Sequence, residues 1–457
     1  FAHRDRDWST PLKRRPHRHF WQAVWDHWFN ASNNHPLDGN RTNNDHGNFT
    51  PYTFTNDCAD ILLCYLARRS VSHPLDDNLA TICTEALATL SAMQIRPGDS
   101  CKPDEGPGTF YYGMFETGEP MVEGTGWFAN PDHHDHVQGG VFLGRAIWAL
   151  GTGLRDHDDN QQVVDLARAV REATRWAFGA SAAHGYCPRA RDLVPARRAL
   201  YPDFTTTARI WRDPGEHGYL LLGLLAAQQV RPDMVIFSAG EYDYAAEQNL
   251  TDICVAGLDA LVATIHGERL WMRYSDKDAT ALAALAMGVR CLPRHPHTEQ
   301  WRQAAIAVAD AWITALPDPS TPPRPLVHIG FRPAPGKMTY AWPPNRDGAV
   351  RITFFKTGLW IMALAEMLDA TGEARYRDRI ERLIAYLCGA NPFNARMLSE
   401  LGGIYNWVDD NDGDGLEDNV RYTMYPESTA FCHYGIFRYM QACRRLQAPE
   451  GPDAEAQ

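Results

Sequence analysis

The chain has 457 residues, 44% of them hydrophobic and 22% charged, with a formal net charge of −12. That balance excludes a chain disordered over most of its length. It also argues against nucleic acid or an anionic membrane surface as a partner, because both need clustered Lys and Arg. No apolar run approaches about 18 residues, so the sequence offers no bilayer-spanning helix.

Along the chain, apolar residues recur with helical spacing in twelve segments, at roughly 19–30, 57–69, 78–95, 136–153, 161–178, 216–229, 246–266, 276–292, 298–315, 354–370, 374–390 and 427–446. Two runs, Ala281 to Met287 and Thr357 to Ala365, are apolar around most of the helix circumference, which predicts helices covered on two sides, as in an inner ring. Between the segments lie long loops at 100–135, 180–215, 316–353 and 391–426, rich in Gly, Pro, Asp and aromatics; loops of such length in a compact chain usually carry function. Twelve helices in consecutive hairpins predict an all-α fold, an (α/α)6 toroid. A helical solenoid is the competing arrangement, but no repeat of fixed period is present. The Pro-rich stretch Leu316 to Pro325 is a candidate boundary, yet similar helices resume after it, so residues 1–447 read as one domain and 448–457 as a frayed polar tail.

The chain starts at Phe1, which fits a processed or trimmed product. Sequons at Asn30, Asn40, Asn48 and Asn249 fit a secreted or cell-surface glycoprotein. Ten cysteines are too few for a disulfide scaffold. Cys64 and Cys388 fall in apolar helical patterns and read as buried thiols, whereas Cys101 and Cys187 fall in loops and are the better disulfide candidates.

The acidic loop from Asp410 to Asp418 places Asp410, Asp412, Asp414 and Asp418 around Gly413 and Gly415, a spacing that wraps Ca2+ with oxygen ligands; a solvated acidic turn is the alternative. No organic cofactor motif is present. In the cluster Asp132 to His136, adjacent side chains such as His134 and His136 seldom converge on one ion, and hydroxyl binding or structural hydrogen bonding compete with a metal. Trp127, Trp211, Trp342 and Trp407 lie in loops and are candidate platforms for the apolar face of a sugar ring, or core residues. Glu216 opens a helix and reads first as a cap.

The run Asp45-His-Gly-Asn-Phe, followed by Pro51-Tyr and a helix, resembles the DAGDHGKY segment of glycoside hydrolase family 9. Leu387 to Asn394 is similar to that family's LGxNP segment, and Asp418, Arg421, Tyr425 and Glu427 are similar to its D-x-R…Y…NE stretch. His136 to Phe142 and Arg351 to Phe355 fall where the family has two further helical segments, so five pieces match loosely and in order. The resemblance implies an (α/α)6 barrel and an inverting glycoside hydrolase acting on a poly- or oligosaccharide, with Asp45 activating water as general base and Glu427 protonating the leaving oxygen as general acid. It also places Arg421 and Tyr425 against the substrate. The chain departs from the family at Thr42-Asn-Asn44, which replaces the first Asp of DAGD, at Pro426 in place of Asn, and in lacking the His-x-Arg motif, where Gly402 to Trp407 stands instead. A polysaccharide lyase using Tyr and His on the same fold, and a non-catalytic carbohydrate-binding protein, remain alternatives.

Overall fold

The computed structural model describes residues 52–71, 77–96, 108–111, 113–115, 141–156, 162–180, 214–241, 244–265, 276–315, 350–390, 397–398, 404–410, 419–424 and 426–447. Among them are eleven α-helices, in chain order α1 (Thr55–Val71), α2 (Asp77–Ala92), α3 (Val141–Asp156), α4 (Gln162–Arg175), α5 (Pro214–Gln228), α6 (Leu250–Ala263), α7 (Asp276–Cys291), α8 (Thr298–Ala315), α9 (Phe354–Thr371), α10 (Ala374–Leu387) and α11 (Pro426–Gln447). Each of the eleven coincides, within a few residues at either end, with a segment of helical periodicity in the sequence. The twelfth segment, 19–30, lies outside the described residues, as do the tail 448–457 and the loop cysteines Cys101 and Cys187.

The odd-numbered helices close a ring: α1 packs on α3, α3 on α5, α5 on α7, α7 on α9, α9 on α11, and α11 back on α1. The even-numbered helices lie outside, each against the inner helix that precedes it. The division follows from composition. Every residue of α5 from Pro214 to Gln228 is buried, and Leu359 to Leu368 of α9 is buried without interruption, so neither helix has a face to give to water. In α10, by contrast, Tyr376, Ile380, Leu383 and Leu387 are buried while Arg375, Arg382 and Glu381 face outward. Cys388, expected to be buried, is exposed: it is the C-cap residue of this outer helix, past its last buried turn.

Inner neighbours run parallel. Gly144 of α3 faces Tyr219 of α5, while Gly151, two turns on, faces Gly223. A Cβ on Gly151 would meet the Gly223 carbonyl at 2.0 Å, so only glycine lets these backbones approach so closely. The interior of the ring is a filled core: the Trp148 ring lies 5.0 Å edge-on from Tyr434, 5.9 Å from Tyr219 and 6.1 Å from Phe431.

Parallel inner helices give the barrel two unlike ends. Connections leaving the inner helices are short, such as 157–161, 292–297 and 372–373; the one at 229–249 carries the two-stranded pair of β3 (Val235–Phe237) with β4 (Gln248–Asn249). Connections entering them are long, at 93–140, 181–213, 316–353 and 388–425. The described residues before the inner helices and in these connections include short strands, which the sequence reading of long loops did not foresee. β1 (Tyr52–Phe54) pairs with β2 (Gly113–Phe115), and β5 (Val350–Thr353), β6 (Tyr405–Asp410) and β7 (Asn419–Met424) form an antiparallel sheet in that order. β1 and β2, like β5 and β6, are remote from one another in sequence, so local pattern gave no sign of those pairings, whereas β6 and β7 are neighbours joined by 411–418. No described helix is long and apolar enough to cross a membrane.

Candidate active site at the loop end of the barrel

β1 runs directly into α1, β5 into α9, and β7 reaches α11 across a single residue. The strands therefore decorate the end of the barrel where the inner helices begin. Thr55, the first residue of α1, donates through Oγ1 to the Tyr111 carbonyl, and the Ile404 amide, next to β6, donates to Thr429 Oγ1 in the first turn of α11 at 2.9 Å.

Beneath these starts lies a buried polar floor. Asp60 of α1 accepts from Arg145 Nη1 of α3 at 2.8 Å. The Arg145 guanidinium carbon is 4.9 Å from the Phe431 ring of α11 and 5.2 Å from the Tyr219 ring of α5, and its Nη2 reaches the Tyr219 hydroxyl at 3.5 Å. Asp60 is 1% exposed and Arg145 4% exposed, so this pair is shielded from water and from screening. Two further carboxylates are buried in the first turns of inner helices, Glu216 of α5 and Asp278 of α7. Glu216 thus stands at the loop end of a core helix. Thr280 Oγ1 of α7 donates to the Gly215 carbonyl beside it at 2.8 Å.

A second ionic cluster closes the opposite end. Glu366 of α9 accepts from Arg438 Nε of α11 at 2.7 Å, with Arg290 of α7 at 3.5 Å, while Asp369 pairs with Arg290 and Arg445. Burial alone would raise the Glu366 carboxyl, but the guanidinium groups of Arg438, Arg290 and Arg445 outweigh it and hold it down at about 2. Tyr434, between the two clusters, is pushed up to about 12 by burial.

Of the residues singled out from sequence, Glu427 is the second residue of α11, at the loop end. Trp407 and Arg421 are opposite one another on β6 and β7, and Asp410 ends β6 opposite Val350. Asp45, Trp127, His134, His136, Trp211, Trp342, Tyr425, Asp412, Asp414 and Asp418 lie outside the described residues. Among the described residues no group of three or more His, Cys, Asp or Glu is arranged to hold a metal ion. Sequence reasoning missed Asp60, Arg145 and Tyr219. The usable signal was a lone Asp in Cys58-Ala-Asp-Ile-Leu-Leu63 and a lone Arg in Phe142-Leu-Gly-Arg-Ala-Ile-Trp148: opposite charges inside two helical apolar runs imply each other as partners.

The chain matches no family model and no curated protein. Solved structures do match. A cellobiose 2-epimerase from Bacillus thermoamylovorans superposes with a TM-score of 0.55 at 11% identity, over 94% of this chain and 99% of that one. A sugar epimerase from a ruminal bacterium gives 0.51 at 10% identity, over 86% and 88%. A cellulase of C. cellulolyticium in complex with cellobiose gives 0.45 at 12% identity, over 95% and 99%. At these identities the likeness to the two epimerases is one of architecture, and together with the closed inner ring it establishes the all-α, (α/α)6 toroid.

Proposed function

We propose that this protein is a carbohydrate-active enzyme whose site lies at the loop end of the barrel, and that its reaction is inverting glycoside hydrolysis with Asp45 as general base and Glu427 as general acid. One observation carries the reading: the first and the last of the described helices, α1 and α11, begin level with one another. Gln441 of α11 hydrogen-bonds Ser70 of α1, and each is fifteen residues beyond the first residue of its helix. Parallel helices of equal reach, about 22 Å at the α-helical rise, start side by side. The first turns of α1 and α11, the latter bearing Glu427, therefore lie side by side, and a two-carboxylate mechanism needs Asp45, ten residues before α1 in the sequence, to act at that same end.

In that mechanism Asp45 takes a proton from water as its oxygen bonds to the anomeric carbon. The bond from that carbon to the leaving oxygen breaks, and Glu427 gives the leaving oxygen its proton. The carboxyl groups need a separation of roughly 6.5–9.5 Å to seat the water. Trp407 and Arg421, paired across β6 and β7 beside the start of α11, are proposed to hold the sugar, with Tyr425 next in the chain and Trp127, Trp211, Trp342, His134 and His136 from the other loops. We also propose that Asp410, Asp412, Asp414 and Asp418 bind Ca2+ and so brace the β6 to β7 turn that delivers Glu427. The sequons favour a secreted or cell-surface protein.

A second reading is interconversion of free sugars, favoured by the two sugar epimerases with the same architecture. A panel of oligo- and polysaccharides separates the readings. New reducing ends of inverted anomeric configuration support hydrolysis, an unsaturated product supports a lyase, a new sugar without cleavage supports epimerisation, and affinity without turnover supports a binding protein.

A further inference from the structure

The buried pair Asp60–Arg145 is not accounted for by packing alone. It is level with the sixth residue of three inner helices: Asp60 is the sixth of α1, Tyr219 the sixth of α5 and Phe431 the sixth of α11, while Arg145 is the fifth of α3. The guanidinium thus bridges three neighbouring elements directly below the place where α1 and α11 begin. Position 427 precedes Phe431 by four residues, which puts it on the same side of α11 one turn nearer the loops. We propose that the Asp60–Arg145 pair is a positioning device for the proton on Glu427: the guanidinium is fixed against Phe431, one helical turn along α11 from position 427, and Asp60 cancels its charge so that an acid carried at that position keeps its proton. This rests on the assignment of Glu427 as the general acid.

The physics is a balance of nearby charges. An uncompensated buried cation one turn away favours the ionised carboxylate, which is useless as a proton donor, whereas an uncompensated anion favours the protonated form. With both present the effects offset. The other titratable or charged groups placed around this level are Asp57 and Cys58 on α1, Glu216, His217 and Tyr219 on α5, Asp276, Lys277 and Asp278 on α7, Lys356 at the start of α9, and Cys432, His433 and Tyr434 along α11. Substitutions in the pair leave all of them unchanged.

The test follows the Glu427 carboxyl directly by 13C NMR of protein labelled in its glutamates, with the signal assigned through Glu427→Gln, so that it needs no substrate. Asp60→Asn should lower the Glu427 titration midpoint by about one pH unit, and Arg145→Gln should raise it by a similar amount. Arg145→Lys and the double variant Asp60→Asn/Arg145→Gln should stay near the wild-type value. Where turnover is present, the alkaline limb of its pH profile should move with the midpoint, since the acid must be protonated to act. Midpoints that shift in the same direction in both single variants, or in neither, overturn the proposal. So does loss of the fold in both single variants, which would make the pair a packing device only. Should the midpoints shift as expected while wild type turns over no carbohydrate, the positioning role stands and the hydrolase reading fails.

Discussion

Arg444 Nη2 in the last turn of α11 donates to the Val71 carbonyl at the end of α1 at 2.8 Å, joining residues 373 positions apart. With Gln441 on Ser70, this contact closes the ring of inner helices at the end opposite the proposed site. A cation at a helix C-terminus satisfies a carbonyl that has no partner within the helix and also complements the helix dipole. Arg444→Met should therefore cost about 1–2 kcal/mol in a denaturant melt. An unchanged midpoint would show that packing alone closes the ring.

Loss of either proposed catalytic carboxyl should lower turnover by about 10²–10⁴-fold without abolishing sugar binding. Glu427→Gln keeps the shape and removes the proton, whereas Asp45→Asn disables the water. A substrate whose leaving group departs without protonation should rescue the first variant and not the second. Full activity in either variant refutes the assignment.

The ion cluster at the closed end should govern acid stability. The folded Glu366 carboxyl is held down at about 2, below its unfolded value, so its contribution is present above about pH 4.5 and is lost as pH falls towards 2. Glu366→Gln leaves buried Arg438 with only the more distant Asp369 carboxylate, at 3.8 Å, and should cost about 3 kcal/mol near neutrality, with the deficit shrinking in acid. Thermal melts from neutral pH down to about pH 3 read this directly.

Glu85, buried on α2, behaves in the opposite sense, because burial pushes its carboxyl up to about 7. An acid whose folded value exceeds its unfolded one disfavours folding increasingly as pH rises from about 4.5 through 7. Glu85→Gln should raise Tm at about pH 8 and leave it nearly unchanged at about pH 4. Equal effects at both pH values would point to shape rather than charge.

Calcium should raise Tm and chelation should lower it, because an ion bound only by the folded loop stabilises the folded state by mass action. The variant Asp412→Asn/Asp414→Asn should lose that response. An identical melt with and without chelator rejects the ion.

The sequence by itself determined the helices and their roles. Runs such as Ala281 to Met287 lack a polar face and must be covered on two sides, whereas Tyr376, Ile380, Leu383 and Leu387 space one apolar stripe, so inner and outer rings can be read from periodicity. It also marked both ends of the chain as chemically interesting, since polar motifs around Asp45 and Glu427 stand out against helical surroundings. Only the tertiary structure decided what meets what. That α1 and α11 lie side by side, that β6 and β7 align in the register Trp407 to Arg421, and that Asp60 neutralises Arg145 beneath the starts of the inner helices all depend on contacts between residues 14 to 373 positions apart. The contact of α1 with α11 is set by the closure of the whole ring and leaves no trace in local spacing, whereas the lone charges at Asp60 and Arg145 hint at a partner without saying where the ring brings them together.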